Sequence, residues 1–303
     1  VLDPIERNLV SPAVPAPLAA IAGRLRCPVC LQPLAPAGAS LVCARRHTYD
    51  VARQGYVTLQ TPARSHAAGD DAGMIAARAA VHDAGQFEPL TAVLADVACA
   101  VEGPDSSEPA VLDVGAGTGH YLAAVLDRLP RAQGVAVDAS RDAARRAARA
   151  HPRIAAVRAD IWQQIPLGDA TVDLALCVFA PRNVNELVRV LRPGGALVVV
   201  TPAPEHLREL ASLHTITVDP HKVERLNRQI GPALRGGQIR RISWTMKLTA
   251  LEAEAVLRMG PAAKHLRPDV ERRLGSLPQP VLVTGAVELR TFRTPAEPWV
   301  SEA

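Results

Sequence analysis

The stretch Val111-Leu112-Asp113-Val114-Gly115-Ala116-Gly117-Thr118-Gly119-His120-Tyr121 decides the fold. A short apolar run enters a glycine-rich turn, and a helical pattern follows. Glycines let a backbone turn sharply and pass close to a ligand at the carboxyl end of a parallel strand. A dinucleotide fingerprint needs a small residue at position 120, where this chain has His120. There is therefore no tight pyrophosphate seat. Asp-x-Gly-x-Gly-x-Gly fits an S-adenosylmethionine loop, with Asp113, Gly115, Gly117 and Gly119 as its members.

Outward from this turn, apolar runs alternate with helical stretches. The runs are 111–114, 134–138, 154–157, 172–178 and 196–200, and helices fit at 119–129, 141–150, 184–191 and 204–213. This alternation predicts a parallel sheet covered on both faces. Two later alternating runs, 240–248 and 281–289, predict an antiparallel edge hairpin or insertion. Asp138 ends the second strand, where it can accept from both ribose hydroxyls. Asp160 follows the third strand and is placed to accept from the adenine amine. A helix cap or turn is the alternative role for each. Past the fourth strand, Phe179-Ala180-Pro181-Arg182-Asn183 lies on the edge facing the acceptor. Pro181, Arg182 and Asn183 are the acceptor-side candidates, and Asn183 is equally suited to cap the next helix. No catalytic base is identifiable. His206 returns to the cofactor side after the fifth strand, as a cofactor contact or as a solvated helix start.

Upstream, Cys27-Pro28-Val29-Cys30 is followed after twelve residues by Cys43 and after three more by His47. Two tight turns, one with two thiolates and one with a thiolate and an imidazole, supply a closed tetrahedral set. That is the pattern of one structural zinc. Five cysteines in 303 residues are no disulfide framework, and Cys99 and Cys177 fall in apolar patterns as inert core thiols. Residues 20–66 carry six arginines and one acid, while the whole chain has a net charge of only +4. This basic module could grip phosphates through Arg24, Arg26, Arg45, Arg46 and Arg53. Tyr56, and Tyr49 beside it, could stack on unpaired bases. A solvated, arginine-biased surface is the plain alternative.

The resulting division is a flexible tail at 1–20, a zinc-binding RNA-recognition module at 21–66, a helical connection and linker at 67–109, and a methyltransferase domain at 110–303. The fold class is α/β, a Rossmann-like class I methyltransferase domain with a small N-terminal zinc-binding domain. No apolar run approaches the ~18 residues of a membrane span. The first residues have no basic segment followed by an apolar stretch, so no secretory signal is expected and the cytoplasm is the expected location.

The motifs together resemble the large-subunit 23S rRNA guanine-N1-methyltransferases. The carriers are Cys27 to Leu34, Cys43 to His47, Asp50 to Val57, Gly69-Asp70-Asp71 with Ala76 to Ala80, Asp83 to Phe87, the glycine loop, Val178 to Asn183 and His206-Leu207. The Phe179-Ala180-Pro181-Arg182-Asn183 version looks most like the tylosin-resistance branch. The resemblance implies zinc at Cys27, Cys30, Cys43 and His47. It implies cofactor contacts at Phe87, at Gly117 and Thr118, and at His206. Phe87 stands where the family often has Tyr, and Thr58 where Asn is usual. The implied reaction moves a methyl from S-adenosylmethionine to N1 of a guanine in a hairpin loop of 23S rRNA, with a contribution to macrolide (tylosin-type) resistance and a housekeeping modification both left open, as is homodimerisation. A zinc-containing methyltransferase for a small molecule or protein is the alternative.

Overall fold

A computed structural model describes residues 13–60, 69–101, 107–214 and 234–296. The first twelve residues of the expected tail lie outside these, as do 61–66 of the module and 102–106 of the linker.

The expected parallel strands form in order. They are β5 (Ala110–Val114), β6 (Gln133–Asp138), β7 (Ile154–Arg158), β8 (Val172–Val178) and β9 (Leu191–Pro202). Each apolar run is buried because both faces of the sheet are covered. Val111, Ala136, Ala156, Leu176 and Val198 join one core. Leu112, Val135, Val157, Ala175 and Val199 join the other. Consecutive residues thus feed opposite cores, as the strand period of two requires. Helices α4 (His120–Arg128), α5 (Arg141–Ala150) and α6 (Val184–Val190) match the expected positions closely. Arg192 to Gly195 loop out between the pairs Val172↔Leu191 and Leu174↔Ala196, so the expected turn survives as a bulge at the start of β9.

The late strands are β10 (Arg235–Leu248) and β11 (Val281–Arg293). β11 runs antiparallel between β9 and β10. Between β10 and β11 lie α7 (Ala250–Arg258) and α8 (Val270–Gly275), which the strand reading passed over. The signal for α7 was in the sequence. Thr249 and Glu252 form a reciprocal capping box. The helix expected at 204–213 is instead a 3-10 turn over Arg208–Leu213, because Leu207 takes a left-handed conformation with φ 56°.

The tail expectation fails for its described part. Ala16–Ile21 form α1, with Pro17 in the first turn and Leu18 and Ile21 fully buried. The reason lies in the crossover from β7 to β8. Residues 159–171 contain no helix, so that sheet face has no cover of its own. α1 covers it, and Leu18, Ile21 and Leu25 share a core with Val135 and Val157. The zinc module is also less separate than its composition suggests. Its β1 (Leu34–Ala37), β2 (Ser40–Cys43) and β3 (Thr48–Asp50) make a small sheet. Its β4 (Tyr56–Thr58) instead pairs in parallel with β7, as the edge of the large sheet. The helical connection divides into α2 (Ala72–Asp83) and α3 (Glu88–Val101), broken at Gly85 with φ 70°.

Candidate metal and cofactor sites

Two tight turns bring the four expected metal ligands together. In the first, Leu31 N–H donates to Cys27 O at 2.8 Å and Leu31 takes φ 60°. In the second, Arg46 N–H donates to Cys43 O at 2.8 Å and Arg46 takes φ 64°. The ligand atoms of Cys27, Cys30, Cys43 and His47 all lie within 4.8 Å of one another. His47 Nδ1 is 3.4 Å from the sulfurs of Cys27 and Cys43, and the sulfurs of Cys30 and Cys43 are 3.6 Å apart. A tetrahedron with Zn–S bonds of ~2.3 Å and a Zn–N bond of ~2.0 Å has edges of about 3.5–3.8 Å. The residues therefore fit Zn²⁺, and with four protein ligands they leave no open position. The Tyr49 hydroxyl donates to Cys27 Sγ at 3.0 Å. Burial opposes ionisation of Cys27, but this bond and the N–H groups of Val29 and Cys30 outweigh it and lower the thiol to about 6. Tyr49 is thus a supporting contact of the metal site, which removes it from the base-stacking surface.

At the second site, Gly115, Gly117 and Gly119 take φ of 69°, 54° and 79°, a region only glycine enters without strain. A Cβ at Gly117 would come within 2.8 Å of Arg78 Nη1, and one at Gly115 within 2.7 Å of Ala180 Cβ. Asp138 fixes the loop. Its carboxylate accepts from Gly117 N–H at 2.9 Å and from Ser140 N–H at 2.8 Å. A carboxylate has about four acceptor positions, so two remain for hydroxyls. Asp160 is buried; Oδ1 accepts from Trp162 N–H at 3.0 Å, while Oδ2 has no partner. Asp113 is buried with Oδ2 likewise unpaired. Burial first, and then the neighbouring Asp138, push its carboxyl up to about 7. Buried acceptors left open at the carboxyl ends of successive strands suit S-adenosylmethionine. It brings an ammonium, ribose hydroxyls and an adenine amine.

The state of Asp113 has a consequence for the ligand-free protein. Its folded value near 7 lies above the unfolded value of about 3.9. Between those values the folded state holds a proton that the unfolded state has released. Its stabilising contribution is complete below pH 4 and is lost as pH rises through 7. Asp113→Asn removes that loss. Its Tm by calorimetry should exceed the wild-type Tm at pH 8 by about 2–4 °C for each kcal/mol gained, and converge with it at pH 4. Its affinity for S-adenosylmethionine should fall. Equal Tm differences at both pH values would contradict this reading.

A ring cluster closes the acceptor side. The buried Phe87 meets Phe179, His206 and Trp244 edge-on at centroid distances of 6.4, 6.3 and 5.5 Å. Phe179 stacks on His206 at 5.7 Å, takes φ 53° and is 40% exposed. Burial lowers His206 to about 4, so its ring is neutral. Its Nδ1 accepts from Ala286 N–H at 3.1 Å, which leaves the proton on Nε2. On the other side of the loop, His82 stacks on His120 at 4.1 Å, and Thr118 Oγ1 lies 3.4 Å from His82 Nδ1. His120 Nε2 meets Thr91 Oγ1 at 3.0 Å, so the residue that excluded a pyrophosphate seat is packed inward.

Several expected site residues have other employment. Asn183 Oδ1 caps α6 by accepting from Glu186 N–H at 3.5 Å, and its Nδ2 donates to Ile161 O at 3.1 Å. Tyr56 is a core residue and offers no face for stacking. Arg24 donates to Glu108 O and ties the module to the linker end, whereas Arg26 donates to Gly23 O and Leu25 O within the module itself. Arg45, Arg46 and Arg53 are exposed. Pro181 is exposed, and Arg182 lies beside the buried Cys177, whose thiol burial pushes up to about 12. Phe179, expected only as part of the acceptor-side turn, was not singled out, and Arg78 was missed. Phe179 gives no local signal of its strained backbone. Arg78 donates to Asp70 Oδ2 at 2.5 Å and to Met259 O at 2.6 Å, and its long side chain covers Gly117. A single Arg among Ala and Ile on α2 was the available hint.

Residues 111–195 match the family model described as "Methyltransferase domain", and residues 25–65 match "RlmA, N-terminal", a zinc ribbon. A putative 23S rRNA (guanine-N(1)-)-methyltransferase of Micromonospora griseorubida is 46% identical over 290 residues, covering 89% of this chain and 97% of that protein. The chain belongs to the 23S rRNA (guanine-N1)-methyltransferase family. A second member, the 23S rRNA (guanine(748)-N(1))-methyltransferase of Streptomyces fradiae, is 45% identical over 256 residues, covering 84% and 91% of the two chains. A putative member from Bacillus subtilis is 33% identical over 193 residues, covering 61% and 66%. The zinc ribbon and the cofactor fold of this methyltransferase are therefore those of its family.

Proposed function

We infer that this chain transfers the sulfonium methyl of S-adenosylmethionine to N1 of a guanine in a hairpin loop of 23S rRNA. What carries the inference is one chain holding both the RlmA-type ribbon and the methyltransferase domain, alike over nearly the whole length of relatives named for that reaction. The name of the Streptomyces fradiae relative makes guanine 748 the position to test first. Methylation there would account for the tylosin-type resistance implied by the motif at 179–183. No helix among the described residues is long and apolar enough to cross a membrane. The cytoplasm, where rRNA is made, is the proposed place of action.

When bound, the cofactor supplies an electrophilic methyl. The protein's task is to hold that carbon in line with N1, where an N–C bond forms as the C–S bond breaks and its electron pair goes to sulfur. Asp138 and Asp160 would hold the adenosine part, and Asp113 with Arg78 the charged amino-acid part. Gly115 and Gly117 let Ala180 and Arg78 pack closely against the turn that would carry it. N1 lies on the Watson–Crick edge, so the guanine has to leave any pairing. The half-exposed Phe179 offers it a flat face beside the loop. His206 can donate through Nε2–H, but with Nδ1 engaged it is not the acceptor of the N1 proton. In-line positioning can be worth about 7–11 kcal/mol, whereas a base adds only about 10²–10⁴-fold. Positioning therefore dominates, and the N1 proton passes to solvent.

Phe179→Ala should lower kcat/KM for rRNA by about 5- to 150-fold, the value of stacking one base. S-adenosylmethionine affinity should stay within about threefold. Unchanged kcat/KM would remove Phe179 from the acceptor site. The modified position is read by primer extension, because a methyl on N1 blocks pairing and stops reverse transcription. A new stop at guanine 748 is expected, and a stop at a different guanine would reassign the position.

A further inference from the structure

Helix α5 reads Arg141-Asp142-Ala143-Ala144-Arg145-Arg146-Ala147-Ala148-Arg149-Ala150. Its Ala143, Ala144 and Ala147 are buried, which turns Arg145, Arg146 and Arg149 outward, and all three are exposed. Several arginines elsewhere are paired. Arg189, Arg192, Arg258 and Arg272 each meet a carboxylate. The three on α5 make no ion pair or hydrogen bond with any described residue. They line a cleft of about 620 Å³ between α2, α4 and α5. The other walls include Ala72, Ile75, Ala79 and Ala123 and no base-stacking aromatic except the imidazoles of His82 and His120, which are stacked on each other. Asp142 and Asp83 also border the cleft. Asp142 sits in the first turn of α5, where a carboxylate complements the helix end. The track does not stop at α5. A Cβ at Gly55 would lie 3.6 Å from Ala148 Cβ, so the turn bearing the exposed Arg53 abuts this helix.

We propose that Arg53, Arg145, Arg146 and Arg149 form a continuous phosphate-binding track that grips the backbone of the rRNA away from the methylated base. This rests on the rRNA reading above and deepens it. The zinc ribbon is then not the sole RNA-binding element, and the methyltransferase domain contributes a face of its own. Arg145 and Arg149 are one turn apart, about 6 Å along the axis, a spacing that suits successive phosphates of one strand. Guanidinium groups bind phosphates with paired N–H donors, and the gain comes largely from counterion release. The contacts carry no sequence information. They add affinity for the RNA without touching the reacting base.

The test compares wild type with R145Q/R146Q/R149Q and R145K/R146K/R149K, using a 23S rRNA hairpin fragment at several salt concentrations. Each lost phosphate contact lowers the slope of log affinity against log salt by about 0.7–0.9. The Gln variant should lose about 2 from that slope and raise KM for RNA by about 10- to 100-fold, while kcat at saturating RNA, zinc content and S-adenosylmethionine affinity stay unchanged. The Lys variant should keep the wild-type slope. A Gln variant with wild-type slope and KM, beside a wild type that does bind, overturns the track alone. A wild type that binds no rRNA overturns the underlying reading and the track with it.

Discussion

Cys43→Ser is expected to empty the metal site and reduce rRNA methylation by at least about 100-fold. Structural zinc sites contribute about 10–16 kcal/mol of apparent binding free energy, and that energy is spent on folding. Cys43 is buried and closes the second turn with His47. Serine is a poor zinc ligand, and its loss of one thiolate leaves three ligands around a charge that no fourth group balances. The damage should not stay local. Cys27, Cys43, Leu34 and Leu41 share a core with α1 and with Val135 and Val157 of the sheet. Arg26 N–H donates to Pro166 O and Gly168 N–H to Arg24 O, so the ribbon also braces the loop after Asp160. Tm should therefore fall. S-adenosylmethionine affinity should fall as well, but by less than about tenfold, since Asp138 and the glycine loop keep their own bonds. Zinc content by mass spectrometry and methylation of rRNA read the outcome, with Cys99→Ser as the control that keeps both. Full activity without bound zinc would contradict the role given to the ribbon.

Asp138→Ala should weaken S-adenosylmethionine binding by about 10²–10³-fold, because hydrogen bonds to a charged group are worth about 1.5–3 kcal/mol each. Two effects combine. The carboxylate is the expected partner of the ribose hydroxyls, and it also anchors Gly117 N–H and Ser140 N–H. Without it the left-handed turn at Gly117 loses its tether, so the cradle must be ordered when ligand arrives. Asp138→Asn separates the two effects. Its amide oxygen can still accept one N–H, but its NH₂ group cannot accept the other, so it should fall between wild type and Ala. Titration calorimetry measures the affinity, and zinc content should not change in either variant. Wild-type affinity in Asp138→Ala would show that the ribose is held elsewhere.

The sheet was legible because its strands are buried on both faces and so appear as unbroken apolar runs. The metal set was legible because two tight turns fix its spacing in sequence. What escaped depends on partners distant in the chain. α1 has six residues and two buried side chains, too few for a periodic signal, and it is ordered because the β7–β8 crossover provides no helix. β4 has three residues, and nothing local tells that it joins β7 rather than the small sheet. Tyr56 looked like a stacking residue among arginines, yet its place on that strand buries it. Asn183 satisfied two local rules at once, and the bonds to Glu186 and Ile161 select the cap. The arginine bias of the ribbon mixed three roles that only the fold separates. Arg24 and Arg26 make structural bonds, Arg45 and Arg46 lie outward on the ribbon, and the exposed Arg53 sits two residues before Gly55, which packs against α5.

This protein is expected to put a methyl on N1 of a guanine in 23S rRNA. The most direct measurement incubates the zinc-loaded protein and S-adenosylmethionine with unmodified 23S rRNA, digests the RNA to nucleosides and separates them by mass spectrometry. A new 1-methylguanosine peak, absent without the cofactor, is expected. A methylated nucleoside of another kind, or none from protein that demonstrably binds zinc and S-adenosylmethionine, would contradict it.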